Sequence, residues 1–165
     1  MSDELAGKIA FVTGGSNGIG AAAVRKLADA GAEMIIGYNT GEDRANAILA
    51  DLPGDGHSIQ QLTLEDGASV KRAAETIKAN HPKLDILVNS AGFTKAIPHD
   101  DLDALDDEFM DQMLIANVRG PFSVIREFRS LLKAGGDSVI VNLSSVSGFK
   151  GSGSSIAYCA CKAAI

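Results

Sequence analysis

The chain has 165 residues, a one-domain length, and its 45% hydrophobic and 22% charged residues exclude an intrinsically disordered polypeptide. Its 15 Lys and Arg against 21 Asp and Glu leave a net charge of −6, which excludes a broad nucleic-acid or anionic-membrane surface, and no apolar run approaches the ~20 residues of a membrane span. Glycine is the outlier, 18 residues against 4 prolines, so glycines are expected at specific backbone positions rather than in linkers.

Strand-like apolar runs alternate with helix-like patterns along the chain. Ile9-Ala10-Phe11-Val12 is short, apolar and ended by glycines. From Ile19, apolar positions recur at Ala22, Ala23, Leu27 and Ala30, and Gly31 stops the helix. Met34-Ile35-Ile36 reads as a second strand, Glu42 to Leu52 as a helix closed by Pro53-Gly54, and His57 to Leu62 as a weaker strand. Asp66 is placed to cap a helix whose face is Val70, Ala73, Ala74 and Ile77. Asp85 to Val88 is a fourth strand. A long helical stretch follows from about Leu102 to Leu132, with a kink expected at Gly120-Pro121. Its acids, from Asp100 to Asp111, suit a helix N-terminus rather than a metal site. Ser138 to Leu143 is a fifth strand, 147–155 a Gly/Ser-rich loop, and Ile156 to Ile165 the opening of another helix.

This alternation predicts an α/β fold: one domain over 1–165, built of right-handed βαβ units around a parallel sheet covered on both faces. The strands are apolar throughout, as strands buried on both sides should be. The chain stops inside a helical pattern without a cap, so the C-terminal part of the domain is expected to be missing. A polypeptide ending at Ile165, with its Ser138–Leu143 edge unpaired, is expected to be aggregation-prone or ordered mainly over 6–143, to bind little ligand and to show little or no activity. The acidic start lacks a signal-peptide pattern, and Cys159 and Cys161, two apart on a helix, point to different faces. Free thiols and no export signal predict a cytoplasmic protein.

The first strand feeds Thr13-Gly14-Gly15-Ser16-Asn17-Gly18-Ile19-Gly20 and then a helix. In that context Gly14 permits a tight turn, Gly18 lets backbone approach a pyrophosphate, and Gly20 allows close helix–strand packing beside a helix N-terminus. Taken alone, the loop still admits a ligand-free βα turn. Tyr158 and Lys162 share a helix face at i, i+4; such a pair alone is usually surface decoration.

Together these residues resemble the short-chain dehydrogenase/reductase family, whose loop reads T-G-x-x-x-G-I-G. Asn89-Ser90-Ala91-Gly92 is similar to its N-N-A-G. Asn117 matches its helix asparagine, and Ser145, Tyr158 and Lys162 match its S-x12-Y-x-x-x-K signature. The resemblance spans essentially the whole chain and implies a Rossmann-type doubly wound sheet of order 3-2-1-4-5. It also implies hydride transfer between a nicotinamide and a carbonyl or secondary alcohol. Ser145, Tyr158, Lys162 and Asn117 would then be catalytic. The cofactor would be bound by Gly14, Ser16, Asn17, Gly18, Ile19 and Gly20; by Tyr38, Asn39, Thr40 and Leu64; by Asn89, Ala91 and Gly92; and by Tyr158 and Lys162. No metal is implied.

The chemistry is coherent. Phenol is a weak acid–base group near its ordinary pKa of about 10, and a neighbouring ammonium favours the phenolate. Ser145 is placed to hydrogen-bond a substrate oxygen. The family gives Lys162 the nicotinamide ribose and Asn117 a water linked to Lys162. A non-catalytic nucleotide sensor or scaffold of the same fold is the alternative.

Three departures from the family pattern matter. Ser90 replaces the second Asn. Thr63 stands where an Asp is frequent, with Leu64 following as the adenine contact. Gly37-Tyr38-Asn39-Thr40 carries no acid at the second strand's end. Since an acid there marks NAD preference, and Thr40 and Arg44 reach toward a phosphate, NADP(H) is favoured over NAD(H). Phe93, Thr94, Val146, Ser147 and Phe149 predict a mixed pocket, with Lys133 near its rim. The apolar residues of the long helical stretch predict a homodimer or homotetramer.

Overall fold

The computed structural model describes residues 3–165. Its strands β1 (Ile9–Thr13), β2 (Glu33–Tyr38), β3 (Ser58–Gln61), β4 (Ile86–Asn89) and β5 (Val139–Asn142) form one parallel sheet of order β3-β2-β1-β4-β5. Phe11 at the centre of β1 lies opposite Ile35 of β2 and Leu87 of β4, and Leu87 in turn lies opposite Ile140 of β5.

Helices α1 (Gly18–Asp29) and α2 (Glu42–Asp51) cover one face, and α3 (Gly67–Asn80) and α5 (Gly120–Gly135) cover the other. Successive residues of β1 serve opposite cores. Ala10 and Val12 pack with Val24, Ala28 and Ile48, while Ile9 and Phe11 pack with Val70, Ile77, Val124 and Phe128. The rings of Phe11 and Phe128 stack with centroids 5.0 Å apart. The α3 face is the one the i, i+3, i+4, i+7 spacing predicts, and Asp66 caps it by accepting the Ala68 N–H at 2.8 Å.

At the start of β4, Asp85 is 2% exposed and joins three partners: the Ile9 N–H at 2.9 Å, Lys83 at 2.9 Å and Lys8 at 3.3 Å. Burial alone would raise its pKa. The Ile9 N–H and the two ammonium groups outweigh that and hold the carboxyl below its ordinary value. His57 receives the Met34 N–H on Nδ1 at 3.0 Å, tying the loop before β3 to β2.

Three expectations need correction. The long helical stretch begins at α4 (Asp107–Leu114), not Leu102, because Asp106 caps it by accepting the Phe109 N–H at 2.7 Å. Asp107 and Glu108 then lie in its first turn, where acids complement the helix dipole. The interruption precedes Gly120: a π turn, Ile115–Arg119, joins α4 to α5. Pro121 has no N–H to return to Asn117, and the widened turn absorbs the mismatch. This joint packs on the loop after β3. A Cβ on Gly120 would come 2.8 Å from the Cβ of Leu64, and Arg119 Nη2 donates to the Glu65 carbonyl at 2.5 Å. Within 147–155 the chain forms a one-turn helix, α6 (Ser147–Lys150), closed by Gly151 at φ +61°. β5, the expected unpaired edge, is exposed along its length, because among the described residues it pairs with β4 alone.

The last helix, α7 (Ile156–Ala164), is capped by Ser155, whose Oγ accepts the Tyr158 N–H at 3.1 Å. Among the described residues no helix is long and apolar enough to cross a membrane.

Candidate active site

The C-terminal ends of β1, β2, β4 and β5 open on one cavity of about 590 Å³. Its floor is the loop between β1 and α1. Gly14, at φ +67°, lies so close to the loop after β4 that a Cβ would sit 2.9 Å from the Cα of Ala91. A Cβ on Gly20 would sit 2.3 Å from the Gly14 carbonyl oxygen, so α1 is pressed onto the loop. Gly18, at φ +52°, has nothing within 4 Å of a Cβ and borders open space. Asn17 caps α1 without a side-chain hydrogen bond, which leaves first-turn N–H groups for a ligand. Open space beside unengaged helix N–H groups fits a nucleotide diphosphate.

One end of the cavity is lined by Tyr38 at the end of β2, Asn39 and Thr40 after it and Arg44 of α2, and by Leu64 and Glu65 after β3. Burial, and then Glu42 beside it, push the Tyr38 phenol above its ordinary pKa. The other end holds Tyr158 and Lys162. Lys162 Nζ donates to the Leu143 carbonyl at 2.6 Å and lies 5.8 Å from the centroid of the Tyr158 ring. Burial holds the Lys162 ammonium below the usual lysine range. Burial also pushes the neighbouring Cys161 thiol up, which suits a packing residue better than a nucleophile.

Asn117 comes from the π turn and is 2% exposed. Its Nδ2 donates to the carbonyls of Phe93 at 3.1 Å and Met113 at 3.0 Å, and its Oδ1 accepts the Phe93 N–H at 3.2 Å. Asn117 thereby clamps the loop after β4. That loop also meets the stretch before α7, where the Thr94 and Ser154 hydroxyls lie 2.5 Å apart.

The wall thus gathers Gly14, Ser16, Asn17, Gly18 and Ile19 with Tyr38, Asn39, Thr40 and Leu64, and with Ala91, Gly92, Asn117, Tyr158 and Lys162. Of the expected pocket residues, Phe93 and Thr94 line it, but Val146 and Phe149 are exposed to solvent and Ser147 is buried in α6. Three expected catalytic or cofactor residues also lie outside it. Gly20 serves packing beneath the loop. Asn89 is buried and braces the sheet, its Nδ2 donating to Asn142 Oδ1 at 2.9 Å. Ser145 is half-buried next to the wall residue Ser144, and its Oγ accepts the Ser147 N–H at 3.1 Å. Lys133 is nowhere near the rim. It lies in the last turn of α5, which runs opposite to the strands and ends at the far edge of the sheet. Sequence reasoning also missed Gly41, Ser144 and the Leu143 carbonyl; a backbone acceptor leaves no trace in residue identity.

Comparison with known proteins agrees with this geometry. The sequence profile described as short chain dehydrogenase matches residues 8–165. A D-threitol dehydrogenase of Mycolicibacterium smegmatis is 36% identical over 162 residues, covering 96% of this chain and 60% of that protein. A 3-oxoacyl-[acyl-carrier-protein] reductase of Escherichia coli is 35% identical over 159 residues, covering 96% of this chain and 63% of the reductase. The chain therefore spans about three fifths of the length of these relatives. A short chain dehydrogenase from Burkholderia cenocepacia, solved in complex with NADP, superposes with a TM-score of 0.88 at 34% identity, covering 98% of this chain and 65% of that one.

Proposed function

This chain belongs to the short chain dehydrogenase family, and we propose that it is an NAD(P)-dependent oxidoreductase acting on a carbonyl or secondary alcohol. One observation carries the reading: the glycine loop, Tyr158 and Lys162 border a single cavity at the C-terminal edge of the sheet. When bound, the nicotinamide coenzyme supplies or accepts the hydride.

The chain's own residues handle the proton. Tyr158 gives it to the carbonyl oxygen in reduction and takes it from the hydroxyl in oxidation. Lys162 has three N–H donors. One is engaged by Leu143, leaving two for the phenolic oxygen and a ribose hydroxyl. Its ammonium favours the phenolate form. Ser145, as acceptor of the Ser147 N–H, keeps its own proton for the substrate oxygen. Asn117 holds the loop on which the substrate rests.

NADP(H) is the favoured cofactor. Asn39 and Thr40 put no acid after β2, and Arg44 lines the same end of the cavity. The two relatives, a D-threitol dehydrogenase and a 3-oxoacyl-[acyl-carrier-protein] reductase, support a carbonyl or alcohol substrate class. Leu114 and Phe122, 39% and 61% exposed, border an apolar groove beside α4 and α5, which supports pairing of copies into a homodimer or homotetramer. Light scattering is expected to show a species larger than a monomer at micromolar concentration.

The deciding experiment follows coenzyme absorbance over ketones and 3-oxoacyl thioesters, with NADPH and NADH in parallel. Tyr158→Phe is expected to lose at least about 100-fold in turnover with NADPH affinity retained. Parent-like turnover by that variant would remove Tyr158 as the proton donor. NADPH binding without turnover of any substrate by the parent would favour the sensor alternative.

A further inference from the structure

Resting on the reading of the cavity as a dinucleotide site, we propose that Thr63 sets preference for a 2′-phosphorylated nucleotide by fixing the direction of the Asn39 amide. A carboxylate after β2 would accept hydrogen bonds from ribose hydroxyls and repel a phosphate. An amide carries one accepting and one donating end, so its identity alone decides nothing and its orientation decides everything. The Thr63 hydroxyl donates to Asn39 Oδ1 at 2.8 Å. That bond engages the accepting end and leaves the two N–H donors of Nδ2 for the cavity that Asn39 lines.

Thr63 is itself held firmly. Its N–H donates to Ser69 Oγ at 3.0 Å, and its carbonyl accepts the Asp66 N–H at 3.2 Å. The backbone of residue 39 is fixed too, its carbonyl accepting Gln61 Nε2 at 3.3 Å. Thr63 is not part of the cavity wall, so it acts through Asn39 and is a positioning residue.

Arg44 completes the donor set. Its guanidinium folds over Gly41 so closely that a Cβ there would come 2.4 Å from Nη2. Glycine at 41 thus admits the fold-back that brings Arg44 to the wall beside Asn39 and Thr40. The Asn39 amide, the Thr40 hydroxyl and the Arg44 guanidinium belong to residues that line the same cavity, and a phosphate, which only accepts, matches their donors. Glu65 also borders the cavity and Glu42 lies against Tyr38 at the same end, so these donors must outweigh two carboxylates.

The test uses 2′,5′-ADP and 5′-AMP, which carry the adenosine end without the nicotinamide. Calorimetric titration of the purified protein is expected to give at least about tenfold tighter binding of 2′,5′-ADP. Thr63→Val keeps the side-chain shape and removes the hydroxyl. It is expected to cut that ratio by about five- to tenfold while 5′-AMP affinity, the control for folding, stays at the parent value. Thr63→Ser is expected to restore the ratio, and Asn39→Asp to invert it. An unchanged ratio in Thr63→Val, or no restoration by Thr63→Ser, would overturn the positioning role. A parent that binds 5′-AMP as well as 2′,5′-ADP would overturn the phosphate preference and leave the nucleotide site standing. A parent that binds neither would overturn the nucleotide reading, and this proposal with it.

Discussion

β1 and β5 are both short apolar runs, Ile9–Thr13 and Val139–Asn142, yet every residue of β1 is buried and every residue of β5 is exposed. β1 lies between β2 and β4 and takes part in both cores, while among the described residues β5 pairs with β4 alone. Val139, Ile140 and Val141 are 53%, 40% and 42% exposed. Apolar composition thus establishes that a segment is a strand, and the number of its neighbours decides what its side chains contribute. A flat apolar edge is also a pairing surface, which natural sheets normally cover or charge.

The strongest way to break this comparison is Phe11→Ala. Phe11 is fully buried and stacked on Phe128, so the loss is expected to be about 4 kcal/mol by urea denaturation. A loss under about 1 kcal/mol would mean that β1 is not the structural centre.

Next comes Asp85→Ala, which removes the charge that ties β1 to β4 and is expected to cost roughly 3 kcal/mol at neutral pH. Its pH dependence has a definite sign. The Asp85 carboxyl is held below its ordinary value, so its contribution is full above the unfolded pKa of about 3.9 and lost as the pH falls through the folded value. The stability gap between parent and Asp85→Ala is therefore expected to close on acidification. A gap that persists well below both values would assign the effect to packing instead of charge.

The smallest effect is expected at β5. Ile140→Thr removes little buried surface and is expected to cost under about 1 kcal/mol, with reduced self-association in sedimentation. A cost comparable to that of Phe11→Ala would show β5 covered in solution.

Much of the fold was legible because it rests on periodicity and punctuation. The apolar runs, the glycine after the first helix and the Asp66 cap each name an element by a local rule. The start of α4 was less legible, since Leu102 and Leu105 extend a helical pattern that the Asp106 cap overrides. The π turn was not legible: the sequence displays Gly120-Pro121, which suggests a kink there, and not the turn before them that accommodates the proline. In the cavity, Tyr158, Lys162 and the glycine loop were legible since their chemistry resides in residue type. The acceptor on Lys162 is a main-chain carbonyl, and the direction of the Asn39 amide depends on a hydroxyl 24 positions away. Neither is encoded locally.

The joint between the π turn and the loop after β3 ties the head of α5 to one end of the cavity. Arg119 donates to the Glu65 carbonyl and Gly120 rests on Leu64, so two adjacent residues of the joint hold two adjacent residues of the cavity wall. Phe122, the exposed ring beside the apolar groove, lies two positions further on. The apolar groove and the cavity thus share the head of α5 as a common partition, with Phe122 bordering one and Leu64 and Glu65 the other.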